Sequence, residues 1–155
     1  MDKSNLHKVF MNTAFEFATL SKCVSHKVGA VAVRDGRIIA TGVNGTVPGY
    51  YNCSELFDIN NFDREAHHQF SEKYECHAEM NLILYAAKNG IALNKSTLYV
   101  TLHPCWNCIK HISIVGIKDV WWYNKYDKLE DIDDINNYCA NVGITLNSYK
   151  NFFEN

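Results

Sequence analysis

The chain has 155 residues, of which 47% are apolar and 21% charged, with 2 prolines and a formal net charge of −2 at pH 7. This composition fits one globular domain, long enough to bury roughly two-thirds of its unfolded surface, and excludes disordered and fibrous chains. The absence of a basic surplus disfavours nucleic-acid partners, short of a local basic patch hidden in that average, and leaves small anionic ligands open.

Leu6, Val9, Phe10, Ala14, Phe17 and Ala18 recur at helical spacing and predict an amphipathic first helix. Lys3, His7, Lys8 and Glu16 interrupt the apolar residues of that segment, so it is neither a signal peptide nor a membrane span, and a cytoplasmic location is expected. Apolar runs at 28–33 and 37–42 flank Arg34-Asp35-Gly36, whose Asp-Gly pair supplies the positive-φ turn of a hairpin. Over 43–74 the periodicity fades into Asn, Gly, Pro and aromatic residues; a loop of that length is functional, disordered or stapled. A buried helix follows over 77–89, closed by Gly90, then a strand over 96–102. Pro104 suits the first turn of a helix over 105–115 that Gly116 ends. A strand over 120–123, a helix over 129–142 and a short strand over 143–146 complete the chain. Helices and strands alternating after a hairpin predict an α/β fold. The expected architecture is a single-domain α/β/α sandwich over 1–155, with a mixed five-stranded sheet and 43–74 as a long loop insertion.

Two stretches carry the chemistry. Cys76-His77-Ala78-Glu79-Met80-Asn81 offers an imidazole and, two residues on, a carboxylate; Pro104-Cys105-Trp106-Asn107-Cys108 offers two thiols at i and i+3. A C-x-x-C pair alone is equally consistent with redox chemistry or a structural zinc, and His-x-Glu alone is common. Together, each at a predicted helix start, they give His77, Cys105 and Cys108 as three donors with an open position, the pattern of a catalytic zinc. A thioredoxin-like reading leaves His77 and Glu79 without a role. Two helical positions are about 200° of rotation, so Glu79 approaches the same cavity from another side and is a candidate proton shuttle, not a ligand. The 6 cysteines belong to a chain expected where thiols stay reduced, and there Cys/His clusters more often bind metal than form disulfides.

H-x-E followed by P-C-x-x-C resembles the signature of zinc-dependent nucleobase deaminases. Residues 21–126 resemble the deoxycytidylate deaminases more narrowly, their viral members above all. The matching segments are Ser21-Lys22-Cys23, Lys27-Val28-Gly29-Ala30-Val31, Thr41-Gly42-Val43-Asn44-Gly45, the His77 block, Tyr99-Val100-Thr101 with 104–108, and Gly116-Ile117. The resemblance implies a cytidine-deaminase-like fold and zinc-dependent hydrolysis of dCMP to dUMP and ammonia, supplying thymidylate synthesis, with Glu79 acting as base and then as acid. It implies that Asn44 hydrogen-bonds the deoxyribose, that the Ala78 N–H meets the base and that Tyr126 contacts substrate; local sequence alone makes Asn44 equally a turn residue before Gly45. It further implies a homohexamer activated by dCTP and inhibited by dTTP, with Mg2+ accompanying the triphosphate near Asn44 and Gly45, and the host cytoplasm as the location of a viral enzyme. Two positions depart from the family pattern: Val43 replaces an aromatic residue, and His103 replaces the small residue before Pro-Cys.

A second, structural zinc held by Cys23, Cys53, His67 and Glu75 is implied by the resemblance alone. Spacing does not identify it, since Cys23 and Cys53 are otherwise small buried apolar residues and Glu75 a solvated charge. Such an ion would staple the 43–74 loop and contribute folding free energy. His68 is the alternative to His67, and Cys76 and Cys139 are left as buried thiols. Lys22, His26 and Lys27 are candidate phosphate partners that sequence does not separate from surface charge. Trp121, Trp122 and Tyr85 are candidates for subunit contacts or, alternatively, for the core. Competing functions are deamination of another cytosine nucleotide or nucleoside, a polynucleotide-editing deaminase, which lacks its basic track, and a zinc-stabilised binding module, which leaves Glu79 unexplained.

Overall fold

A computed structural model describes residues 2–126 and 131–154. Its elements in chain order are α1 (Lys3–Ala18), β1 (Gly29–Arg34), β2 (Arg37–Val43), β3 (Gly45–Thr46), α2 (Cys53–Leu56), α3 (Arg64–Tyr74), β4 (Glu75–Cys76), α4 (Ala78–Lys88), β5 (Thr97–Leu102), α5 (Trp106–Ile114), β6 (Asp119–Asn124), α6 (Ile132–Val142), β7 (Thr145–Ser148) and α7 (Tyr149–Phe153). Five strands form a mixed sheet in the order β2-β1-β5-β6-β7; β1 runs antiparallel to β2 and β5, whereas β5, β6 and β7 are parallel. β3 and β4 make a separate two-stranded ribbon.

The period of two along the strands divides the core into two layers. Ala30, Ala32, Leu98, Val100, Val120 and Trp122 lie in one cluster with Leu82 of α4, Ile109 of α5 and Ile135 of α6. The intervening Val31, Val33, Tyr99 and Trp121 face Phe10, Met11 and Ala14 of α1 and Tyr149 of α7. These layers make the expected α/β/α sandwich, and they bury Trp121 and Trp122 while Tyr85 stays exposed. No described helix is long and apolar enough to cross a membrane.

Glycine sets how closely each layer approaches the sheet. A Cβ at Gly29 would overlap the carbonyl of Ala14, and one at Gly42 would overlap that of Ala78. α1 and the first turn of α4 therefore seat directly on β1 and β2. Asn81 Nδ2 donates to the Val43 carbonyl and ties α4 to the end of β2 a second time.

Two expectations need correction and a third is incomplete. The stretch 43–74 is not a continuous loop: it contains β3, α2 and the 11-residue helix α3, which Asp63 caps by accepting from Ala66 N at 3.0 Å. Only His67 of α3 is fully buried, so the helix has no apolar stripe to betray it. The final strand lies at Thr145–Ser148, not 143–146, because Gly143 at φ 79 closes α6 and Ile144 drops into the core first. The helix expected over 129–142 is described from Ile132 onward, and its first positions lie outside the described residues. Cys76 is half-buried, whereas Cys139 is buried.

Candidate active site

His77 and Cys105 are the N-cap residues of α4 and α5, and Cys108 sits in the first turn of α5. β5 ends at Leu102 and Pro104 turns the chain into α5, so the cluster lies beyond the carboxyl end of a parallel strand, where open α/β sheets place their ligands. His77 Nδ1 is 3.5 Å from Cys105 Sγ and 3.5 Å from Cys108 Sγ. Zinc bonds of about 2.3 Å to sulfur and 2.0–2.1 Å to nitrogen at tetrahedral angles put the two donors about 3.5 Å apart, so this set fits the ion. Hydrogen bonds from Cys108 and then His77 push the Cys105 thiol down to about 4, whereas its bond to Cys105 and burial push Cys108 up. The pair thus holds one thiolate beside an imidazole whose pKa is raised, first of all by Cys105. A negative charge stands ready for a cation.

Glu79, only 5% exposed, lies beside this cluster on the first turn of α4. Burial raises its pKa, opposed by a hydrogen bond from its own backbone N–H. A carboxyl pushed upward by desolvation holds a proton more readily near neutrality, as a group that both takes and returns protons must. A cavity of about 200 Å³ opens over His77, Ala78, Glu79 and Cys105.

Cys23, Cys53, His67 and Glu75 form the second cluster. Cys23 Sγ lies 3.6 Å from His67 Nε2 and 3.6 Å from Glu75 Oε1, and those two atoms are also 3.6 Å apart. These separations again suit tetrahedral zinc. Glu75 Oε2 is buried without a hydrogen-bond partner among the described residues, a cost that a bound cation would offset. Burial pushes Cys23 up to about 12, raises Cys53 and lowers His67, so the imidazole is held in its neutral, lone-pair-donating form. His67 belongs to the cluster; His68 is turned outward and pairs with Glu72 at 3.2 Å.

The family model for the cytidine and deoxycytidylate deaminase zinc-binding region matches residues 4–124. The chain belongs to the cytidine and deoxycytidylate deaminases. Curated relatives include the deoxycytidylate deaminase of Enterobacteria phage T2, 37% identical over 88% of each chain. The human deoxycytidylate deaminase is 37% identical over 81% of this chain and 67% of its own. Among solved structures, the dCMP deaminase of cyanophage S-TIM5 in complex with dCMP and dUMP superposes with a TM-score of 0.75 at 30% identity, covering 96% of this chain and 98% of that one. The five-stranded sheet and its helices are therefore the deaminase fold.

In this deaminase the other sequence-derived residues fall as follows. Ala78 and Tyr126 line the cavity, and Tyr126 stands edge-on to His26 with ring centroids 5.2 Å apart. Asn44 also lines it, but its side chain is already engaged: Oδ1 accepts from Val28 N at 2.9 Å and Nδ2 donates to His26 O at 2.8 Å. Asn44 thereby holds the 26–28 segment against the cavity. Gly45 pairs with Cys76 in the β3–β4 ribbon, next to His77 in sequence. Lys22 and Lys27 line a different cleft, away from His77; of the three candidate phosphate partners only His26 reaches the cavity.

Among the cavity residues given no site role from sequence are Ser25 and Arg64, and His103, marked there only as a departure from the family pattern. Ser25 and Arg64 sit at the cavity's second-cluster end, and the signal for Arg64 was the N-cap residue Asp63, which starts a helix one turn before His67. His103 forms part of the wall, with Nδ1 2.8 Å from Pro104 O, Nε2 buried without a partner among the described residues, and the ring edge-on to Trp122.

Proposed function

We propose that this chain hydrolyses the 4-amino group of dCMP, giving dUMP and ammonia. The observation that carries the reading is a buried carboxylate, Glu79, beside a three-donor set whose geometry suits zinc with one position left open. His77, Cys105 and Cys108 would hold a zinc ion, which when bound would supply a Lewis acid that brings the pKa of water towards neutrality. Glu79 takes the proton of the attacking water, delivers it to N3 of the cytosine, and carries the second proton to the amine that leaves from C4. Its raised pKa suits both transfers. The N–H of Ala78, one of the orphan donors at the start of α4, binds the base; Asn44 and Tyr126 border the sugar. The substrate follows from the relatives named deoxycytidylate deaminase over nearly the whole chain, together with the fold match to a protein solved with dCMP and dUMP.

The same reading gives Cys23, Cys53, His67 and Glu75 a second zinc that staples residues 43–74. It also gives a homohexamer in the cytoplasm, the host's if the source is viral, that feeds thymidylate synthesis, with dCTP and Mg2+ activating and dTTP inhibiting near Asn44 and Gly45. Ammonia release measured across dCMP, dCTP, deoxycytidine and CMP, with and without dTTP, tests it. Preference for dCMP supports the assignment; release from none of the four, with zinc bound, refutes it.

A further inference from the structure

Residues 21–28 join α1 to β1 without a helix or strand of their own. This one segment serves both sites: Cys23 is a donor of the second cluster, while His26 and Val28 line the cavity over the first. Its order comes from outside. The Asn44 side chain pins it at Val28 N and His26 O, and the Asn44 backbone N–H donates to Val28 O at 3.3 Å. The remaining tether is Ser21. Its hydroxyl donates to Asn44 O at 3.1 Å and accepts from Cys23 N at 3.2 Å, so one side chain joins a donor of the second cluster to a wall residue of the cavity.

We propose that Ser21 is a positioning residue that couples the two sites, so that a cation on the second cluster and a pyrimidine nucleotide in the cavity each strengthen the other's binding. The inference rests on the deaminase reading for the identity of the nucleotide and adds to it a link between the sites. Ser21 is 2% exposed. Filling that space does not require a hydroxyl, since alanine is almost as large. Alanine would, however, take one hydrogen-bond partner from Cys23 N and one from the Asn44 carbonyl, and a buried backbone group stripped of its partner carries its full desolvation cost.

The coupling follows from ordering one segment twice. A cation on Cys23 fixes the start of 21–28, and a ligand against His26 and Val28 fixes its end. Whichever binds first removes conformational freedom that the other then need not remove. Glu79 and the first-cluster donors stand at the starts of α4 and α5 instead, so the effect falls on binding rather than on proton transfer. α3 offers a competing route, because His67 is both a second-cluster donor and a cavity residue. Substitution of Ser21 separates the two routes.

The test measures zinc affinity by chelator competition and amide hydrogen exchange, each with and without dUMP, in wild type, Ser21→Ala and Ser21→Thr. In wild type dUMP tightens the zinc that is absent from Cys53→Ser by at least about 5-fold, the lower end of coupling between sites. It also protects the amides of Cys53–Leu56, which do not line the cavity. Coupling is reciprocal, so Cys53→Ser binds dUMP more weakly by a similar factor. Ser21→Ala loses both dUMP effects and raises the KM for dCMP while kcat holds; Ser21→Thr, which keeps the hydroxyl, retains them. Full dUMP effects in Ser21→Ala overturn the role of Ser21 and leave α3 as the route. A wild type that deaminates dCMP but shows neither effect overturns the coupling and keeps the reaction, and that comparison stands even if Ser21→Ala fails to fold. A wild type that deaminates no cytosine nucleotide yet shows both effects in a Ser21-dependent way loses the reaction and keeps the coupling; one that binds no dUMP overturns both.

Discussion

The two Cys/His clusters use nearly the same donors yet differ in number and in resting charge. The set at the helix starts has three donors, a buried carboxylate alongside and a thiol already driven down to about 4. The set around Cys23 has four donors, a carboxylate among them rather than beside them, and a thiol pushed up to about 12. Three donors leave room for water and a reacting atom, whereas four close the shell. The difference lies in where the carboxylate stands. Glu75 and Glu79 are four residues apart in sequence, separated by the turn from β4 into α4, and that turn sends one carboxylate to each cluster.

The sharpest way to break this division is to remove each carboxylate's charge in turn. Glu79→Gln keeps the shape and all three donors, so zinc content holds at the wild-type level while kcat falls by about 10³-fold, the scale of lost general acid–base catalysis. Metal analysis alongside single-turnover kinetics reads both. A Glu79→Gln protein with near-normal turnover would sink the assignment of the proton carrier.

The second largest effect belongs to the closed cluster. Cys53→Ser should lose one zinc per chain and cost on the order of 3 kcal/mol, or roughly 6–12 °C in Tm for a domain of this size. Calorimetry with zinc quantification checks it. A variant that keeps its Tm while losing all chemistry would show that the two clusters have been assigned the wrong way round.

A third experiment separates the support of the first cluster from general packing. Gly42→Ala and Gly29→Ala each force a Cβ into a helix carbonyl, on opposite faces of the sheet. Overpacking of this kind costs about 1–3 kcal/mol in either variant. Only Gly42→Ala displaces α4, which carries Glu79, so kcat should drop several-fold there and hold in Gly29→Ala when both are assayed below their melting temperatures.

The contrast between the clusters also explains what could be read from the chain before its fold was known. His77, Glu79, Cys105 and Cys108 announce themselves because each half of the site is local: a helix start after a strand brings the donors together within a few residues. The strands and main helices were legible for a similar reason, since apolar residues alternate cleanly between the two core layers. The second cluster draws on a loop, two short helical segments and a two-residue strand, 52 residues from Cys23 to Glu75, so no local spacing encodes it. Arg64 was hidden by the same circumstance, because α3 is a polar helix held by buried His67 and half-buried Phe70 rather than by a long apolar stripe. Asn44 shows the opposite limit: its type was readable, but its engagement with Val28 and His26 depends on how the strands end.

The smallest expected effect tests resting charge directly. In the absence of a cation Cys23 and Cys53 have raised pKa values, so the stability they lend is present below the ordinary thiol value of 9.0 and is lost as pH rises through the folded value, about 12 for Cys23. His67 is lowered by burial, so its contribution is present above 6.5 and lost as pH falls through the depressed value; half-buried His7 and buried His103 act with the same sign. In the chelated chain these groups together lend most stability between about pH 7 and 9 and less on either side. With zinc bound, both thiols of the second cluster must release protons; in the first, Cys105 has already released its own, while Cys108 and the raised His77 still hold theirs. Cys105 alone keeps its thiolate down to about pH 4, a foothold for the cation that neither second-cluster thiol offers, so on acidification the Cys23 cluster should surrender its ion first. Dialysis against a weak chelator at a series of pH values, with stability and turnover followed together, should show the melting temperature dropping before deamination does. Loss of turnover ahead of stability would reverse the order and show that the depressed thiol does not govern which site holds its metal.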